Sequence, residues 1–460
     1  MNDKYLLKIL APFIIHQNLK TKDLTDVTWK AEDSSSSSVL FYNLRDTIDE
    51  KNEFLKRLEK NKYGVLITVN DDILSENLDN LIVLEKSNWL KAQKIVLDHF
   101  YPMPKIKLVG ITGTNGKTTT TDLARQISNL WGHRAFSIGT LGVIDAEGNA
   151  TETNLTTPPY IWIRKFLYEL GKNHEVGIME ISSHALVQKR VYELTFDEIA
   201  WTSFSQDHLD YHKTLPEYFA AKELIYEHVK PSHKMWVPHR ETELLKKLSK
   251  RPVSETADIT SMVTNSKLPI FFQNDFNKNN FELAYSINKS LWNSDKKVDL
   301  TKLIPPAGRY SAFESANQLF IIDFAHTPDA LENICSAIRK DFSEKPLTVV
   351  FGCGGNRDRT KRPLMGKVVE KYAEKIIITN DNPRFETPEV IAADARKGVQ
   401  GDCEIILDRK KAIKHAAEKS SKNAIILIAG KGHEEYIQIE DIKHPYSDYQ
   451  VVQEIIESRK

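Results

Sequence analysis

An apolar strand, a glycine turn and a helix start follow one another without a break in KLVGITGTNGKTTTTDLARQ, residues 107–126. No other stretch restricts the fold as tightly. Gly113, Thr114, Asn115, Gly116, Lys117, Thr118 and Thr119 have the parts of a phosphate-binding loop. Its glycines let backbone N–H groups turn towards one anion, and the helix N-terminus adds positive potential. The lysine adds charge, and the threonine hydroxyl is a magnesium ligand in loops of this kind. The strict P-loop spacing fails at one place, because Ile111 stands where the first glycine belongs. An ordinary glycine turn with a helix cap is the alternative; the strand before and the helix after favour the phosphate.

Punctuation divides the chain around this loop. Its 460 residues are too many for one hydrophobic core, so two or three domains are expected. Residues 1–104 form a first unit, with strands at VLFYNL and YGVLITV, a serine loop at 34–38 and YPMPK as a linker. Residues 105–305 carry the loop, a buried strand at 175–182 and a helix at 216–229 that accepts Pro216 in its first turn. PPAGRY opens the last unit, 306–460, where the strands LFIIDFA, LTVVFG, KIIITN, EIILD and AIILIAG alternate with helical stretches. Such alternation makes a doubly wound parallel sheet. The fold class is therefore α/β in three domains: a smaller N-terminal one, a central P-loop ATPase-like sheet and a C-terminal Rossmann-like one. CGGNRD, DNPR and GKGHEE fall at strand ends, where such sheets bind ligands.

Charge and cysteine content exclude other classes. Lys plus Arg and Asp plus Glu are 63 each, which indicates neither nucleic acid nor an anionic membrane as partner. No stretch is long enough to cross a bilayer. MNDKYLLKILAPFII is interrupted by Lys8 and reads as an amphipathic helix rather than a signal peptide. Cys335, Cys353 and Cys403 have no CxxC spacing, which disfavours a zinc knuckle or redox dithiol; a disulfide framework is unexpected at this size, and a reducing cytoplasm fits best.

Three residues downstream of the loop have the chemistry to complete a metal centre: Glu180 at a strand end, His208 in SQDHLDYH, and Lys222 on a helix. Each has a plain alternative as a cap, a core histidine or a solvated lysine. His208 and His212 are four apart, as in a zinc pair, but no HExxH accompanies them.

EISSHALVQKRV, DHLDYHKTLPEYFAAKELIY, DFAHTPDAL, DNPRFETP and AGKGHEEY follow the loop in that order. Together they resemble the Mur ligase family, and within it the UDP-N-acetylmuramoyl-tripeptide synthetases, over roughly residues 105–450. The resemblance implies an ATP-dependent ligase that joins a carboxylate to an amine through an acyl phosphate, in peptidoglycan synthesis. It implies Lys117, Glu180, His208 and Lys222 as catalytic residues. Thr118, Glu180 and His208 would hold magnesium, and Lys222 would carry a carbamate that ligates or positions a second ion. Gly113–Thr119, Asn277, Asn280, Arg309, Asp323 and His326 would bind ATP. Thr156, Thr157, Ser182, Gln188 and Arg190 would bind the UDP-N-acetylmuramoyl dipeptide. Arg357, Asp381, Asn382, Arg384, Gly430 and Glu434 would bind the incoming amino acid. DNPR is the form associated with meso-diaminopimelate, and Arg384 would grip a second carboxylate that lysine lacks. All partners implied are small molecules, and a monomer is expected.

The chain departs from that family in three places. EDSSSSSVLFYNL replaces the usual DSR and GDLF elements, Gln206 stands where arginine is usual, and Phe324 where tyrosine is common. Alternatives stay open: a ligase for lysine or ornithine, a P-loop phosphotransferase, or a binding protein that retains the fold.

Overall fold

The computed structural model describes residues 1–20, 23–42, 48–69, 78–153, 155–231, 235–265 and 267–459. Three sheets follow one another along the chain. The first comprises β1 (Ile14–Asn18), β2 (Asp26–Thr28), β3 (Ser38–Phe41), β4 (Val65–Thr68) and β5 (Leu81–Leu84), in the order β1-β5-β4-β3-β2. All neighbours are parallel except β1, which closes the edge antiparallel to β5. β3 and β4 match two expected strands; Asn43 and Leu44, the end of VLFYNL, lie outside the described residues. The expected N-terminal helix spans Asp3–Leu10, capped by the Asn2 side chain, and buries Leu6 and Leu10.

The central sheet holds β6 (Lys107–Thr112), β7 (Ala135–Gly139), β8 (Gly142–Ile144), β9 (Ala150–Thr151), β10 (Val176–Glu180), β11 (Glu198–Trp201), β12 (Met235–Val237) and β13 (Val253–Glu255). Its order is β13-β12-β11-β6-β10-β7-β8-β9, parallel up to β7 and antiparallel beyond. β6 runs through the middle because both its faces are apolar. Val109 and Ile111 pack with Leu123, Ile127 and Phe281 on one side. Leu108 packs with Phe136 and Phe196 on the other. Helices Lys117–Leu130 and Asp275–Trp292 cover the first face. The helix expected at 216–229 is α-helical over Leu215–Glu223 and tightens to 3-10 over Leu224–His228. There the chain turns back so that the His228 carbonyl accepts the Phe196 N–H.

The third sheet comprises β14 (Ser311–Ser315), β15 (Gln318–Asp323), β16 (Leu347–Phe351), β17 (Lys375–Ile378), β18 (Glu404–Ile405) and β19 (Ile425–Ala429), ordered β14-β15-β19-β16-β17-β18. Only β14 is antiparallel. EIILD pairs over two residues, because it lies on the edge with both side chains exposed. A hairpin, β20 (Tyr436–Ile439) and β21 (Ile442–Pro445), follows β19. Among the described residues no helix is long and apolar enough to cross a membrane.

Candidate active site

The carboxyl ends of the second and third sheets face one cleft of about 620 Å³. The loop after β6 forms its floor. Gly116 has φ +86°, and a Cβ there would meet the Asn280 Oδ1 at 2.4 Å. Gly113 has φ +143°, and a Cβ there would strike the Thr202 hydroxyl. Both positions thus require glycine. Lys117 curls over the loop, donating to the carbonyls of Gly113 (2.8 Å) and Thr114 (2.9 Å). The Thr119 side chain is buried and lines the floor with Thr118.

Glu180 ends β10 beside the loop. Its carboxylate accepts from the Thr118 hydroxyl (3.1 Å), the Thr140 N–H (2.8 Å) and the Thr140 hydroxyl (3.2 Å). A Cβ at Gly139 would fall 2.2 Å from Glu180 Oε1, so the carboxylate sits in a cradle that only glycine leaves open. Burial raises its pKa, and Lys117 works against that rise. Lys222 lies beneath the floor, fully buried, and donates to the Gly113 carbonyl at 2.7 Å. Burial, reinforced by the charge of Lys117, lowers its pKa well below the ordinary lysine value, which favours the neutral amine.

His208 lines the cleft with positive φ (55°), and its side chain keeps 37% of its surface exposed. Its ring stands 4.9 Å from that of His184 and beside Asp207. His212 instead bonds to the Ser183 hydroxyl at 2.9 Å. Among the described residues no three His, Cys, Asp or Glu side chains form a ready metal cluster. The hydroxyl and carboxylate oxygens of Thr118 and Glu180 do suit a hard cation that takes its remaining ligands from phosphates.

The nucleotide-side candidates come together. Asn280 accepts from the Thr120 hydroxyl and donates to Asn277. Neither caps the helix, however: Asn274 does, accepting from the Asn277 N–H. From the third sheet, Arg309 donates to the Thr118 hydroxyl (3.2 Å) and stacks on Phe324 (4.5 Å). Its Nε is buried without a partner. Asp323 accepts the N–H groups of Tyr310 and Ala325. His326 bonds to the Phe324 carbonyl, and burial lowers its pKa to about 4.

The third-sheet wall carries the rest. Arg384 has φ +51° and donates to the Gly355 carbonyl at 2.8 Å. Asn382 and Lys431 both donate to Glu434, at 2.8 Å each. Gly430, at φ +115°, leaves room for Asp381, whose carboxylate a Cβ would meet at 2.7 Å. Arg357 lines the same cleft. Of the remaining set, Thr156 lines the cleft and bonds to Thr140, while Thr157, Ser182, Gln188 and Arg190 stand back from it. Arg190 donates to the carbonyl of Thr157 (2.7 Å) and to Gln188 (2.7 Å), and Ser182 caps the helix Ser183–Val187.

Two family models match in tandem: "Mur ligase middle domain" over residues 111–307 and "Mur ligase, glutamate ligase domain" over 308–432. A relative from Aquifex aeolicus, named UDP-N-acetylmuramoyl-L-alanyl-D-glutamate–2,6-diaminopimelate ligase, is 37% identical, covering 91% of this chain and 90% of its own. The chain belongs to the Mur ligase family. A solved structure of a ligase of the same name aligns with a TM-score of 0.57 at 26% identity, over 95% of each chain. The Thermotoga maritima MurF ligase, solved with ADP, aligns at 0.63 and 16% identity, over 94% and 97%. It shares the fold.

Several cleft residues of this Mur ligase have no motif of their own to announce them. Asp207 and Lys361 are buried side by side, 3.5 Å apart across the two sheets. Burial pushes the Asp207 pKa upward, but Lys361 and the neighbouring imidazoles outweigh it and hold the carboxylate ionised. Asn115 of the loop donates to Asp329 of the third-sheet unit at 2.8 Å. Arg240 and Glu241 line the same end of the cleft. Asp207 adjoins His208 in sequence, which is a signal of a kind. Lys361 has none, because its partner lies 154 residues away.

Proposed function

We propose that this chain, acting in the cytoplasm, adds meso-diaminopimelate to the D-glutamate side-chain carboxylate of UDP-N-acetylmuramoyl-L-alanyl-D-glutamate, converting ATP to ADP and phosphate. One observation carries the reading. A single cleft is lined at once by the phosphate loop and by Arg357, Asp381, Asn382, Arg384 and Glu434. A kinase would have no use for the second group. Domains at 1–104, 105–305 and 306–460 would receive the uridine nucleotide, ATP and the amino acid respectively.

A carboxylate resists amines because its charge is delocalised. Transfer of the γ-phosphoryl group forms a carboxyl O–P bond and breaks the bond to ADP. The amine then attacks the acyl carbon, its nitrogen gives up a proton, and phosphate leaves with the electron pair of the C–O bond and can take up that proton. Lys117 and Arg309 stabilise charge on the transferring group, because both reach the loop that would hold it. Thr156, Thr157, Ser182, Gln188 and Arg190 orient the dipeptide end. Asn277, Asn280, Asp323 and His326 hold the nucleoside. Thr118, Glu180 and His208, with Lys222 as a carbamate, would hold magnesium, which neutralises phosphate charge when bound. The buried amine of Lys222, its pKa lowered, suits carbamate formation, which consumes a neutral amine.

Arg384 distinguishes the amino acid. Its guanidinium is part-buried and already bonds to backbone carbonyls, so a second carboxylate is the partner that completes it. Phosphate release should be measured with ATP, magnesium and the UDP-sugar dipeptide, adding diaminopimelate, lysine or ornithine in turn. Only diaminopimelate is expected to support turnover. Equal rates with lysine would overturn the assignment.

A further inference from the structure

Arg409 and Asp448 are both fully buried, behind the third-sheet wall rather than in it. The guanidinium meets the carboxylate with two bonds of 2.8 Å, and the Tyr446 hydroxyl donates to the same carboxylate at 2.9 Å. The same guanidinium also reaches forward. It donates to the carbonyl of Ala429 (2.9 Å) and to that of Asn380 (3.3 Å). Ala429 ends β19, and Asn380 lies just past β17. These strands are not neighbours, because β16 runs between them. One side chain therefore ties together two strand ends that no ladder joins. The next residues along the chain are Asp381 and Gly430, already in tight contact where a Cβ on Gly430 would strike Asp381.

We propose that Arg409, held by Asp448, is a positioning residue for the incoming amino acid. It fixes the spacing between the loop bearing Asp381, Asn382 and Arg384 and the loop bearing Lys431 and Glu434. The inference rests on reading that wall as the amino-acid site. Without the clamp, the loops stay joined at their rims, where Asn382 donates to Glu434 and the Arg384 backbone pairs with the hairpin, but the strand ends beneath them lose their common anchor and their spacing shifts. A two-loop site tolerates such drift poorly, since a shift of about 1 Å can cost about 100-fold.

The test uses the full-length enzyme and whichever diamino acid supports phosphate release in the wild type. Arg409→Met combined with Asp448→Leu removes both charges and leaves neither ion buried alone. This pair is expected to raise KM for the amino acid about 10- to 100-fold while KM for ATP stays within about twofold. Arg409→Lys keeps the charge but cannot span both carbonyls and the carboxylate, and should fall between. Should the double variant fail to fold, Arg409→Lys and Tyr446→Phe carry the test, with an expected rise of about threefold or more in amino-acid KM alone. An unchanged amino-acid KM in a folded variant, or equal rises for amino acid and ATP, overturns the clamp. A wild type that turns over with none of the three diamino acids overturns the functional reading instead.

Discussion

The two walls of the cleft are built in opposite ways. The phosphate loop is one uninterrupted strand, turn and helix start, and its geometry comes from Gly113 and Gly116. The third-sheet wall draws on the ends of three strands, β16, β17 and β19, and on nothing contiguous. Its members are held by side chains from elsewhere. Arg409 lies behind two of the strand ends, and Arg362, also fully buried, grips Glu386, Asp394 and the Gly354 carbonyl behind the third. A local site is made by backbone conformation, and a composite site by long-range buried pairs. The first should fail when its chemistry is removed. The second should fail when its spacing is disturbed.

The largest effect is expected beneath the loop. Lys222→Ala should cut turnover about 1,000-fold or more with all substrates present, as loss of preorganised charge at a reacting phosphate does. Partial recovery with short carboxylic acids would identify the carbamate, and recovery with small amines would identify the free amine. Next comes the opposite wall. Arg384→Ala should lower kcat/KM for diaminopimelate about 100-fold, leaving nucleotide affinity unchanged in a titration with a fluorescent ADP analogue. If nucleotide affinity falls as well, the two walls are not separable in the way their construction implies.

Smaller effects probe where the walls touch. Asn115→Ala removes the bond to Asp329, one of the links between loop and third-sheet unit. A neutral donor lost to a carboxylate should raise KM for ATP by about 3- to 10-fold. Glu241 has its pKa pushed up to about 7, by burial and by the negative charge of Asp329. A carboxyl group whose folded pKa is raised favours the fold in its protonated form. That contribution is complete below the ordinary value of 4.5 and is lost as pH rises through about 7. Glu241→Gln should therefore melt above wild type at about pH 8 and level with it near pH 4. A constant difference across that range would remove Glu241 from the account.

Legibility followed the same division. The strand, loop and helix of 107–130 could be drawn from spacing, and the alternation after residue 319 foretold a parallel sheet with ligands at its strand ends. Spacing misjudged the edge strand at 404, whose apolar string continues after pairing stops. Asn274 caps the helix at 275, which frees Asn277 and Asn280 to face the loop. Asp207, Lys361, Asp329, Arg409 and Asp448 were not legible. A buried ion pair leaves no periodic trace, and its two halves stand 39 residues apart in one case and 154 in the other.

What the chain's order of residues determines alone is therefore the set of local conformations: where strands stop, where glycine must turn, and which side chains follow a strand end. Backbone sterics and apolar periodicity act over a few residues, so they can be read without the fold. Only tertiary structure decided that Glu180 lies in the gap at Gly139, that Lys222 lies under Gly113, and that one guanidinium joins β17 to β19. Those depend on desolvated charge meeting its partner, and burial is a property of the whole packed molecule.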